Sequence, residues 1–98
     1  MSISIQILSN NEYEVTVQSN TVTTHTVSLS DEVHKNLTND KVTKEELLDF
    51  SFKFLLDREP NTSIMSSFEL TVISRYFSDY EKRVKKWCSS WHRFGRSE

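Results

Sequence analysis

The chain has 98 residues, 36% of them apolar, one glycine, one proline, one cysteine and a formal net charge of −2. That length holds a single core. The lone glycine excludes glycine-rich phosphate loops and long flexible linkers, and the lone Cys88 excludes an intrachain disulfide, which fits a reducing compartment.

The charge is unevenly placed: residues 1–74 carry 5 Lys/Arg against 11 Asp/Glu, and residues 75–98 carry 7 against 3. Such asymmetry points to an interaction surface in the C-terminal part. Six Phe, three Tyr and two Trp supply large buried areas per residue, so a small core is feasible.

Ile3, Ile5 and Ile7 alternate with Ser2, Ser4 and Gln6, the period of a half-buried strand. The stretch from Met1 to Leu8 has no basic segment and no continuous apolar run. It therefore reads as neither a signal peptide nor a membrane span. After the turn cluster Ser9-Asn10-Asn11, Tyr13, Val15 and Val17 alternate with polar residues in a second strand. Ser19-Asn20 suits a two-residue hairpin turn. Thr21 to Leu29 reads as a third strand. Val22 is out of phase with His25, Val27 and Leu29, which predicts a bulge or a strand end near Thr23.

Helix-start signals follow. Ser30 is a candidate N-cap, with Asp31 and Glu32 in the favoured first turn, Val33 and Leu37 to bury, and Asn39-Asp40 as the stop. Thr43-x-x-Glu46, Ser66-x-x-Glu69 and Ser78-x-x-Glu81 share the spacing in which a hydroxyl and a Glu reciprocally cap a first turn. In the helix begun by Thr43, Leu47, Leu48, Phe50, Phe52, Phe54, Leu55 and Leu56 cover a wide arc. Asp49, Lys53 and Asp57 form a charged ladder on the rest. Glu59-Pro60-Asn61 breaks the chain, with Arg58 placed to favour a helix C-terminus. Ser63 is placed to cap a single turn through Ile64 and Met65. A helix from Ser66 to Phe77 is predicted next, and then a last helix with Tyr80, Val84, Trp87 and Trp91 as its apolar stripe. His92 to Arg96 reads as a frayed tail.

The strings Val42-Thr43-x-Glu45-Glu46-Leu47, Ser51-Phe52-x-Phe54-Leu55-Leu56-x-Arg58-Glu59-Pro60-Asn61, Ser63-Ile64, Phe68-x-Leu70, Ile73-x-x-Tyr76-Phe77 and Tyr80-Glu81 resemble a group of short bacterial proteins with no assigned activity. The stretches Tyr13-x-Val15-x-Val17 and His25-x-Val27 are similar too. Ser78 stands where that pattern has proline, and the aromatic C-terminal tail is not part of it. The resemblance implies a bacterial, cytoplasmic origin and carries over no catalytic residue.

The expected architecture is α+β. A small N-terminal antiparallel sheet of two or three strands is followed by about four helices packed around the helix of residues 47–56. Residues 1–91 form one domain and residues 92–98 a tail. A sheet this thin leaves its edges open to pairing across a dimer.

No catalytic or cofactor motif stands out, and the acids are scattered rather than paired. Cys88 and His92 share the i, i+4 spacing of two metal ligands, but two ligands do not make a site, and no metal or cofactor is expected. The candidate surface is basic: Lys82, Arg83, Lys85 and Lys86 on the last helix, with Arg75, Trp91, Arg93 and Phe94 near in sequence. The expected function is a non-enzymatic protein-interaction or regulatory module, contacting a protein partner or another copy. The alternative is a nucleic-acid-binding regulator of antitoxin-like or repressor-like type, in which the cations meet phosphates and Trp91 or Phe94 stacks on bases. An overall pI near 5.9 is low for a dedicated nucleic-acid binder.

Overall fold

The computed structural model describes residues 2–89. The elements run β1 (Ser2–Ile7), β2 (Glu12–Gln18), β3 (Val22–Ser28), α1 (Asp31–Thr38), α2 (Lys44–Leu56), a 3₁₀ turn (Asn61–Ser63), β4 (Ser67–Glu69), α3 (Val72–Tyr76) and α4 (Tyr80–Ser89). The fold is α+β, with one four-stranded mixed sheet of order β1-β2-β3-β4. No helix among the described residues is long and apolar enough to cross a membrane.

Strands β1, β2 and β3 form an antiparallel meander, as their period-two patterns dictate. Ile5 lies opposite Val15, and Val15 opposite His25. Tyr13, Val15, Val17, His25 and Val27 point into the core, while Glu12, Gln18, Val22 and Thr24 are exposed. One expectation is corrected here, and the choice between a bulge and a strand end near Thr23 falls to the strand end. The β2–β3 loop has three residues, Ser19 to Thr21, closed by the Ser19 amide donating to the Thr21 carbonyl at 3.0 Å. The β3 register is unbroken from Val22 to Ser28, so no bulge forms; Val22 simply faces solvent at the strand's start.

The sheet has four strands rather than two or three, because residues 67–69 join β3 in parallel. The Thr26 amide donates to the Ser66 carbonyl at 2.8 Å, and the Leu70 amide donates to the Ser28 carbonyl at 2.9 Å. Ser66-x-x-Glu69 therefore starts no helix, and the predicted helix from Ser66 to Phe77 shrinks to the five residues of α3. The reason is tertiary. The free edge of β3 offers backbone partners, and strand geometry sends Phe68 inward, 6.2 Å from Phe52; a local capping signal is worth only about 1 kcal/mol. The single turn expected after Ser63 falls earlier, at Asn61–Ser63.

Helices α1 and α2 form where their caps predict. Ser30 Oγ accepts from the Val33 amide at 3.2 Å. Asn39 and Asp40, at φ 54° and 61°, stop α1 in the left-handed region that Asn and Asp tolerate. In α2 the capping box is complete: Thr43 Oγ1 accepts from the Glu46 amide at 3.0 Å, and the Glu46 carboxylate accepts from the Thr43 amide at 2.8 Å. Lys44, its side chain largely covered, ties the start of α2 to Asp31 at 2.6 Å and donates to the Asn10 carbonyl at 3.1 Å. That ion pair holds the Asp31 carboxyl below its ordinary range.

Leu47, Leu48, Phe52, Phe54 and Leu55 of α2 are buried, and Phe50 and Leu56 are half-buried. The helices also pack on one another rather than only around α2: α4 lies against α1 and α3.

Candidate interaction surface on the last helix

The first helical residue of α4 is Tyr80, which places Asp79 rather than Ser78 at the cap position. Glu81 is engaged elsewhere: its carboxylate accepts from Ser74 Oγ at 3.1 Å, fixing α3 to the first turn of α4. The Ser78-x-x-Glu81 box is therefore out of register.

The inward side of α4 is Tyr80, Val84 and Cys88, all buried. Tyr80 anchors the helix. Ser51 Oγ donates to the Leu47 carbonyl at 2.7 Å, so the 2.6 Å contact between Ser51 and Tyr80 is donated by the Tyr80 hydroxyl. The Phe54 ring packs edge-on at 5.3 Å. Farther along, Trp87 stacks on Phe50, with centroids 4.4 Å apart and planes at 13°. These contacts hold α4 against α2 from the first turn to the last.

Burial pushes the Tyr80 hydroxyl above its ordinary pKa of 10.0. A phenol whose folded pKa is raised contributes stability that is complete below the unfolded value and is lost as pH climbs above it. Stability should therefore fall above pH 10 by up to about 1.4 kcal/mol per unit from this group. Tyr80→Phe should be less stable at neutral pH by about 1 kcal/mol, through the lost hydrogen bond, yet lose less on going alkaline. Urea midpoints measured across the alkaline range will show it, and parallel pH profiles for the two proteins would contradict it.

The outward arc of α4 carries the basic residues. Lys82, Arg83, Lys85 and Lys86 are all exposed. Lys82, Lys85 and Lys86 fall at i, i+3 and i+4, neighbours on one side of the helix. Among the described residues these three enter no ion pair or side-chain hydrogen bond.

Arg83 differs: its guanidinium lies 3.7 Å from Asp79 and 5.9 Å from the Phe54 ring, so it serves the α2–α4 junction. Asp79 also pairs with Arg58 at 3.1 Å. Arg58 covers the Phe54 ring at 3.6 Å and donates to the Phe54 carbonyl at 3.0 Å, the C-terminal role that its position in sequence suggests.

Arg75 is exposed on α3, on a separate helix from the lysines. Trp91, Arg93 and Phe94 lie outside the described residues, as does His92. Cys88 is in the core with its thiol pushed up by burial, which opposes nucleophilic thiolate chemistry. Among the described residues no three His, Cys, Asp or Glu come together as a metal site.

Sequence reasoning missed the neighbour of this surface. Glu45, Glu46 and Asp49 of α2, together with Phe50, Lys53 and Trp87, line an open groove of about 460 Å³. The Asp49–Lys53 pair at 2.9 Å spans one side of it. An acidic flank thus adjoins the basic helix across the Phe50–Trp87 stack. The signal for it was present in the α2 carboxylates, but only the tertiary stack shows that they border α4.

Comparison of the chain with models of known protein families, with curated proteins and with solved structures finds no match in any of the three.

Proposed function

We propose that this chain is a non-enzymatic protein-interaction module that meets an acidic protein surface with the outward face of α4. One observation supports this most. Lys82, Lys85 and Lys86 stand together on a helix whose inner face is locked to the core, and no carboxylate among the described residues neutralises them. Cations held on a rigid element, with their charge unspent inside the molecule, favour steering and docking of an opposite charge. Arg58 and Arg83 are excluded from the recognition set, since Asp79 already holds them.

The acidic groove beside α4 supports a protein partner over nucleic acid. Beside the lysines, Glu45 and the Asp49–Lys53 pair call for a partner whose acidic patch is bordered by cations, which a protein surface can offer and a uniformly anionic phosphate backbone cannot, and the Trp87 ring is already stacked on Phe50. A protein surface of mixed sign suits such a neighbourhood.

The test compares the chain with a triple variant, Lys82→Glu, Lys85→Glu and Lys86→Glu. Binding is read by fluorescence anisotropy against a labelled acidic peptide and a labelled single-stranded oligonucleotide at about 50 mM salt, where phosphate contacts are strong. The peptide should bind, and reversal should abolish binding with the circular dichroism spectrum unchanged. Tighter binding of the oligonucleotide, or peptide binding indifferent to the reversal, would overturn the proposal.

A further inference from the structure

Strand β1 is the long free edge of the sheet. It pairs with β2 on one side, and among the described residues no other backbone group meets its outward N–H and C=O groups. Natural sheets blunt such an edge with a charge, a proline, a bulge or a very short strand. The opposite edge, β4, follows that rule: it has three residues and ends on Glu69. Strand β1 follows none of it. Its sequence Ser-Ile-Ser-Ile-Gln-Ile carries no charge and no proline, and its ladder to β2 is unbroken across six residue pairs. Apolar surface runs to its last residue and one beyond, with Ile7 58% and Leu8 49% exposed, and Ile3 and Ile5 are only partly covered by the core.

We infer that β1 docks a second copy of this chain, the two β1 strands pairing antiparallel about a two-fold axis through Ile5 to make one continuous eight-stranded sheet. The strand is self-complementary in that register. Ile5 faces the partner's Ile5, Ile3 faces the partner's Ile7, and Ser4 faces the partner's Gln6. All three isoleucines of each strand then lie opposite isoleucine on the side that the helices cover. A shift of one residue would set isoleucine against Ser or Gln and put the two helical layers on opposite sides of the joined sheet. The same register brings two uncharged segments together in molecules that each carry a net charge of −2. A closed two-fold contact also uses up the edge, which stops further growth.

The register makes a charge-pattern test possible on the solvent face, where Ser4 and Gln6 are exposed and contribute nothing to the core. Sedimentation velocity on the full chain, from micromolar to submillimolar concentration, should give a species of twice 11.5 kDa. Ser4→Lys with Gln6→Lys sets like charges opposite each other twice and should weaken the dimer by about tenfold or more. Ser4→Lys with Gln6→Glu sets opposite charges in the same places and should keep it. Circular dichroism confirms that each variant is folded. A chain that stays monomeric throughout, a Lys/Lys variant that dimerises as well as the parent, or equal losses in both variants would each overturn the inference.

Discussion

Phe52→Ala should lower the stability of the fold by about 3–5 kcal/mol, against a total of about 5–15 kcal/mol for a domain of this size. Phe52 is fully buried. Its ring reaches from α2 to His25 of β3 at 5.4 Å and to Phe68 of β4 at 6.2 Å, so one side chain seals the helix against two strands. Truncation removes the transfer energy of the ring and leaves a cavity among rigid neighbours. The walls of that cavity are strand residues held by ladder bonds and cannot collapse freely. In urea the midpoint should drop by about 2 M, read by tryptophan fluorescence. Phe52→Leu, which keeps most of the volume, should cost less than half as much. A drop for Phe52→Ala smaller than about 1 kcal/mol would mean that α2 is not the element on which the sheet is packed.

The elements that could be read from the sequence are those whose signals are local. Ile3, Ile5, Val15 and Val17 announce strands by period alone. Ser30 and Thr43 announce helix starts through hydrogen bonds closed within three residues. The arc from Leu47 to Leu56 requires cover on several sides wherever it sits. Ser66-x-x-Glu69 has the same local form and fails, because β3 competes for the same backbone and places Phe68 in the core. No window of residues 66–69 contains that information; it lies in the free edge of a strand some 40 residues earlier. The basic face divides in the same way. Charge and helical spacing give Lys82, Lys85 and Lys86 directly. The engagement of Arg83 by Asp79, and the acidic groove across the Phe50–Trp87 stack, depend on which helix lies beside which.

The polar centre of the molecule was the least legible part and leads to the second large effect. His25 is 2% exposed, yet both ring nitrogens are satisfied. Its Nδ1 lies 2.8 Å from the Met65 carbonyl, which can only accept, so Nδ1 carries a proton. In the neutral ring Nε2 then accepts from the Thr23 hydroxyl, also at 2.8 Å. Buried Asn61 donates to Thr23 Oγ1 at 2.9 Å and to the Thr21 carbonyl at 3.1 Å. The chain of donors runs from Asn61 through Thr23 and His25 to Met65, and it stitches β3 to the loop that leads into β4. Nothing in the spacing of residues 23, 25, 61 and 65 foretells it. His25→Leu should cost about 1–3 kcal/mol, since the Met65 carbonyl loses its donor and the half-buried Thr23 hydroxyl its acceptor. Asn61→Ala should cost about 1–3 kcal/mol by the same reasoning at the other end. The two losses should not add: with the network already broken, the double variant should fall short of the sum by about 1 kcal/mol or more. Urea unfolding of the four proteins in this cycle measures the coupling directly. Strict additivity would mean that the two ends act separately, and that the loop before β4 is held by Phe68 and Ile64 packing alone.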